Sequence, residues 1–94
     1  MKDIKIEESD TKGRAFMEID SKTIAEMTYS KAGEDLIIID HTEVSDEYRG
    51  RQIGRKLLDQ IVEMVRKKNI KILPLCPYAK SVFDKEESIR DVLR

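Results

Sequence analysis

Tryptophan is absent from this chain, and cysteine and histidine each occur once, as Cys76 and His41. One cysteine excludes an internal disulfide framework. One cysteine with one histidine excludes most structural zinc sites, which take their ligands from those two residue types. Long apolar runs are missing as well. The longest, Leu36-Ile37-Ile38-Ile39, falls far short of the about 18 residues that a membrane-spanning helix needs, and no stretch has the layout of a secretory signal. The expectation is a soluble, cytoplasmic protein with no membrane partner. Three tyrosines and two phenylalanines are the whole aromatic complement. That is too few for a base-stacking platform, so nucleic acid is not expected as a partner.

What the chain does have is aliphatic residues and charge. Isoleucine, leucine, valine and phenylalanine make up 25 of 94 residues, above the roughly 20% associated with disorder. The length suits one domain spanning residues 1–94, with a core small enough that a bound ligand would add noticeably to stability. The net charge of −1 conceals a division: residues 1–47 carry 13 acidic and 6 basic side chains, and residues 48–94 carry 6 acidic and 12 basic. The basic half suggests an anionic ligand. The acidic half is compatible with a cationic ligand or with an ordinary solvated surface.

Up to residue 44 the apolar residues recur with a period of two. Ile4 and Ile6, Met17 and Ile19, and Met27 and Tyr29 alternate with other residues, and turn clusters at Ser9–Gly13, Asp20–Lys22 and Lys31–Asp35 separate them. This predicts an antiparallel meander whose fourth member, Leu36–Ile39, is apolar on both faces like a central strand. After the loop Ser45–Arg51 the period lengthens. Ile53, Leu57, Leu58, Ile61, Met64 and Val65 share one helical face, and Asn69 suits the left-handed residue that ends a helix. Ile70–Leu75 predicts a buried strand parallel to the fourth, completing a βαβ unit. Pro77–Glu87 predicts a short helix with proline in its first turn; Ser88–Arg94 is a further short element of open type. The fold class is α+β: about four antiparallel strands, a βαβ unit with a parallel fifth strand, and a short C-terminal helix.

In a sheet with a parallel pair, ligands bind beyond the carboxyl ends of the strands. One end here is Asp40-His41-Thr42-Glu43, the other Leu75-Cys76. Between them runs Arg49-Gly50-Arg51-Gln52-Ile53-Gly54-Arg55-Lys56, four cations and two glycines with no acid. It opens the long helix, whose unpaired N–H groups and positive dipole end attract phosphate; glycine admits a close approach and arginine adds bidentate bonds. A solvated basic loop is the plain alternative, but basic residues in a first turn oppose the dipole unless an anion neutralises them.

Val44–Leu58 resembles the acetyl-coenzyme A binding motif of the GNAT superfamily of N-acetyltransferases, Arg/Gln-x-x-Gly-x-Gly/Ala. Arg49 matches the first position and Gly54 the last, while Gln52 stands where the middle glycine is expected. The order of elements is similar to the family core without its N-terminal helices and last two strands, and Cys76-Pro77-Tyr78 is similar to a motif of minimal, single-domain members. The resemblance implies acetyl-CoA as cosubstrate and an amine-bearing small molecule or peptide as acceptor, with the protein a monomer or weak dimer. It also implies that Val44, Arg49, Gly50, Arg51, Gln52, Ile53, Gly54 and Arg55 hold the cofactor, and that the main chain at Val44 polarises the thioester carbonyl.

For the remaining chemistry, His41 and Glu43 are the candidate general bases, sharing a strand face by alternation; each could equally be a structural strand-end group. Cys76, at a helix start that favours thiolate, is an acetyl acceptor, a leaving-group partner or plain core. Tyr78 is a candidate acid for the departing thiolate, although in larger relatives the tyrosine with that role aligns with Phe83. A non-catalytic acyl-CoA-binding module is the alternative function, suggested by the glutamine in the motif.

Overall fold

The structure is a computed structural model that describes residues 4–94. β1 (Ile4–Glu8), β2 (Lys12–Ile19), β3 (Lys22–Lys31) and β4 (Leu36–Val44) pair antiparallel in chain order. The β2–β3 turn places Asp20 and Ser21 at φ 52° and 67°, the two left-handed residues of a tight hairpin whose twist matches its strands. β5 (Lys71–Pro74) joins the edge of β4 in parallel, Ile37 opposite Ile72 and Ile39 opposite Pro74. It is shorter than the sequence predicts at both ends. The Ile70 N–H is used by the preceding helix, bonding Val65 O at 3.0 Å, and the chain leaves the sheet after Pro74.

α1 (Ile53–Lys68) presents Leu57, Leu58, Ile61, Val62 and Val65 to one sheet face, where Ala15, Met17, Met27, Tyr29, Ile37 and Ile39 meet them. Each such buried aliphatic side chain contributes about 1.5–3 kcal/mol. Asn69 ends α1 in the left-handed region, φ 56°, its N–H on Val65 O. α2 (Pro77–Lys85) lies beside the start of α1 and buries Ala79, Val82 and Phe83 in the same core. Glu87–Val92 is a 3₁₀ helix, clamped by a two-pronged Arg66–Asp91 pair at 2.7 and 3.0 Å. Leu93 then bridges Ile72 in parallel, so the segment of open type covers the outer edge of β5.

Gly13 is required by packing. A β-carbon there would overlap the Tyr29 ring, and Tyr29 is fully buried with its hydroxyl donating to Glu8 Oε2 at 2.5 Å. Burial, reinforced by that carboxylate, pushes the Tyr29 hydroxyl above its ordinary pKa. On the sheet face away from the helices, the Arg14 guanidinium lies 3.9 Å over Phe16 and pairs with Glu7 and Glu26.

One irregularity decides the geometry of the site. Tyr29 pairs with Ile39, but Thr28 pairs with His41, so Asp40 is an extra residue, a β-bulge. Past it the alternation of β4 reverses. Thr42 stands opposite the buried Met27 and Val44 opposite the buried Ala25, hence on the helix side; His41 and Glu43 stand opposite Thr28 and Glu26, on the other face.

Candidate active site

β4 and β5 part company at Ile39. Its carbonyl accepts both the Leu75 N–H, at 3.1 Å, and the Cys76 N–H, at 3.0 Å, which ends the parallel ladder and swings the chain into α2. β4 continues for five residues without a neighbour on that side. A cleft of about 390 Å³ occupies the space, bounded by Thr42 and Val44 of β4, the loop from Tyr48 to Gln52, the first residues of α1, and Tyr78. Among the described residues no carboxylate lines it, and Arg49 is its one formal charge.

One end of the cleft is the start of α1. The first main-chain bond of the helix runs from the Lys56 N–H to Gln52 O, 3.1 Å. Gln52 supplies no side-chain cap and the first turn contains no acid, so the amides of Ile53, Gly54 and Arg55 form an uncapped positive end. Gly50 has φ 79°, and Gln52 is also left-handed, φ 62° and ψ 24°. That conformation explains why the family motif has glycine where this chain has glutamine: a side chain there is strained by about 1–2 kcal/mol. The donor set of main-chain amides and an arginine, with an open channel along β4, fits a diphosphate with a slender arm. Acetyl-CoA has that shape and charge.

Of the eight residues expected to hold the cofactor, Val44, Arg49, Gly50, Gln52, Ile53 and Gly54 line the cleft. Arg49 is exposed and pairs with Asp46 at 3.1 Å, a contact an anion can displace. Arg51 lies outside, 5.4 Å over the Tyr48 ring. Arg55 points toward α2, paired with Asp59 at 2.8 Å and Glu86 at 3.1 Å. Two lining residues went unrecognised in the sequence, Thr42 and Tyr48. Thr42 has a legible signal, since it lies two residues before Val44 on one strand.

Cys76 is 4% exposed, directly behind Thr42, with Sγ 3.2 Å from the threonine Oγ1. Tyr78 forms the outer wall. Its ring lies against Gly54, where a β-carbon would sit 2.9 Å from Cε2, so this glycine makes room for an aromatic side chain. Burial raises the Tyr78 pKa, with Asp59 and Cys76 adding and Arg55 opposing; the phenol is a proton donor at neutral pH. Phe83 is core. His41 and Glu43 are close together, Nε2 to Oε1 3.5 Å, and well exposed at 59% and 70%, but the bulge turns both away from the cleft. A larger hollow of about 960 Å³ between the β1–β2 hairpin and β3 is lined by groups that bond one another, Arg14 with Glu7 and Ser30 with Asp40.

Comparison with known proteins bears on the family and the fold. Residues 14–92 match the family model of the GCN5-related N-acetyltransferases. A GCN5-like protein from Staphylococcus aureus, solved by NMR, is 37% identical with a TM-score of 0.75; the match covers 100% of this chain and 91% of that one. The fold also matches ribosomal-protein-alanine N-acetyltransferase from Brucella melitensis (14% identity, TM-score 0.68, 82% of this chain and 62% of that one). The corresponding ribosomal-protein-S18-alanine enzyme from Escherichia coli is similar in fold (12%, 0.68, 83% and 53%). This chain therefore spans less than two thirds of either of those two enzymes. No curated protein matches by sequence. The chain belongs to the GCN5-related N-acetyltransferase family, whose members are enzymes that in general draw the acetyl group from acetyl-CoA.

Proposed function

We propose that this protein transfers the acetyl group of acetyl-CoA to an amine on a small molecule or peptide, using the cleft between β4 and α2 for the cofactor. The observation that carries this reading is the uncapped start of α1 opening onto an acid-free cleft along the unpaired part of β4. The amides of Ile53, Gly54 and Arg55 and the guanidinium of Arg49 would hold the diphosphate. When bound, acetyl-CoA supplies a thioester carbonyl open to attack by a neutral amine. The Ser45 N–H donates to Ile24 O on the β3 side, at 2.7 Å, so strand alternation turns the Val44 N–H toward the gap. There it would polarise the carbonyl oxygen.

The acceptor would come from the opposite sheet face, where His41 and Glu43 stand together. His41, oriented by Glu43, takes the amine proton directly or through water. Tyr78, on the wall of the cleft, would give a proton to the leaving sulfur, and Cys76 lies behind Thr42. A non-catalytic acyl-CoA-binding role has one observation in its favour, that the two candidate bases do not line the cleft. One experiment separates the two readings: thiol release from acetyl-CoA is followed in the presence of polyamines, peptides and small amines, with CoA binding measured in parallel. Amine-dependent release is expected, and His41→Ala should lower kcat/KM by about 100-fold or more while sparing CoA affinity. Tight CoA binding with no amine acetylated would favour the binding module; no CoA binding would end both readings.

A further inference from the structure

The Thr42 end of the cleft is backed by a contact that the reactions above do not use. With its anionic part at the start of α1, a ligand lying along β4 passes Val44 and then Thr42. Beyond Thr42 there is no continuation. Its Oγ1 meets Cys76 Sγ at 3.2 Å, Cys76 is buried, and the two strands rejoin at Ile39, whose carbonyl is bonded twice from the β5 side. The Asp40 bulge is what turns Thr42 into this position, and Met27, opposite it on β3, is fully buried and leaves no room for retreat.

We propose that Thr42, backed by Cys76, is the determinant of acyl length in this protein: it closes the inner end of the cleft and restricts the donor to short acyl groups. This rests on the reading of the cleft as an acyl-CoA site. The discriminating force is steric. Each methylene buried in an open apolar pocket ordinarily tightens binding about fourfold, equivalent to about 0.8 kcal/mol. A blocked pocket reverses that trend, because overpacking distorts the wall.

The test is direct binding, by calorimetry or amide shifts, of CoA, acetyl-CoA, butyryl-CoA and hexanoyl-CoA to the wild-type protein and to Thr42→Ala and Thr42→Val. In the wild type, affinity should fall at least tenfold from acetyl- to butyryl-CoA while CoA itself binds. Thr42→Ala, which shortens the wall, should tighten butyryl-CoA at least tenfold relative to acetyl-CoA. Thr42→Val, which keeps the volume and loses the hydroxyl, should retain the wild-type ratio. Butyryl-CoA bound as tightly as acetyl-CoA by the wild type, or an unchanged ratio in Thr42→Ala, overturns the proposal and leaves the acyl-CoA reading standing. Failure of CoA itself to bind overturns both.

Discussion

Gln52→Gly should make this protein more stable. Gln52 sits at φ 62° and ψ 24°, immediately before α1, and its side chain caps nothing. Its carbonyl accepts the first helical bond, from Lys56, and glycine keeps that carbonyl. An L-residue in the left-handed region costs about 1–2 kcal/mol, and glycine returns roughly 0.5–1 kcal/mol of that as extra freedom of the unfolded chain. The net gain is about 0.5–1 kcal/mol, which for a domain of this size raises Tm by roughly 2–8 °C. Gln52→Ala is the control. It removes the same side chain but keeps a β-carbon, so it should show no such rise. Thermal unfolding of the three proteins followed by circular dichroism decides the matter. An unchanged or lowered Tm for Gln52→Gly, or an equal rise for Gln52→Ala, would refute the assignment of strain to the backbone at this residue. The strained residue is itself one of those that line the cleft.

Other outcomes follow from the packing and the charges. Folding holds the Tyr29 proton more tightly than the unfolded chain does, so the associated stability is complete below the ordinary tyrosine pKa of 10.0 and declines as pH rises past it. Denaturant midpoints at pH 8 and about pH 10.5 should therefore diverge less in Tyr29→Phe than in the wild type. Gly54→Ala should gain less stability than the about 1 kcal/mol that alanine ordinarily adds inside a helix, because its β-carbon meets the Tyr78 ring, and should gain more in a Tyr78→Ala background; additive effects in the double-mutant cycle would contradict the contact. Arg49→Ala should weaken CoA binding about tenfold at low salt, and by less as salt rises, in titrations of the two proteins. Leu57→Ala, at a fully buried position on α1, should cost about 2–5 kcal/mol in chemical denaturation.

Much of this protein follows from local sequence. Periods of two and then of 3.6, punctuated by turn residues, determine four strands and a helix, since burying one face of each element admits few alternatives. Asn69 and Pro77 mark helix ends because their backbone preferences act without help from the rest of the chain. The candidate anion site was equally legible, being a run of consecutive residues, Arg49 to Gly54.

Tertiary structure alone decided which way β4 points its chemistry. Counted by twos from the buried Ile37 and Ile39, His41 and Glu43 belong on the helix side; the extra residue at Asp40 reverses them and brings Thr42 and Val44 there instead. No local preference announces that bulge. It arises where β3 and β4 are registered against each other, a pairing between residues distant in the chain. The same holds for the ring of Tyr78 on Gly54, the contact of Thr42 with Cys76, and the pairing of Leu93 with Ile72. Each joins segments more than 20 residues apart in the chain, so each depends on how the elements meet, which periodicity along a single segment does not encode.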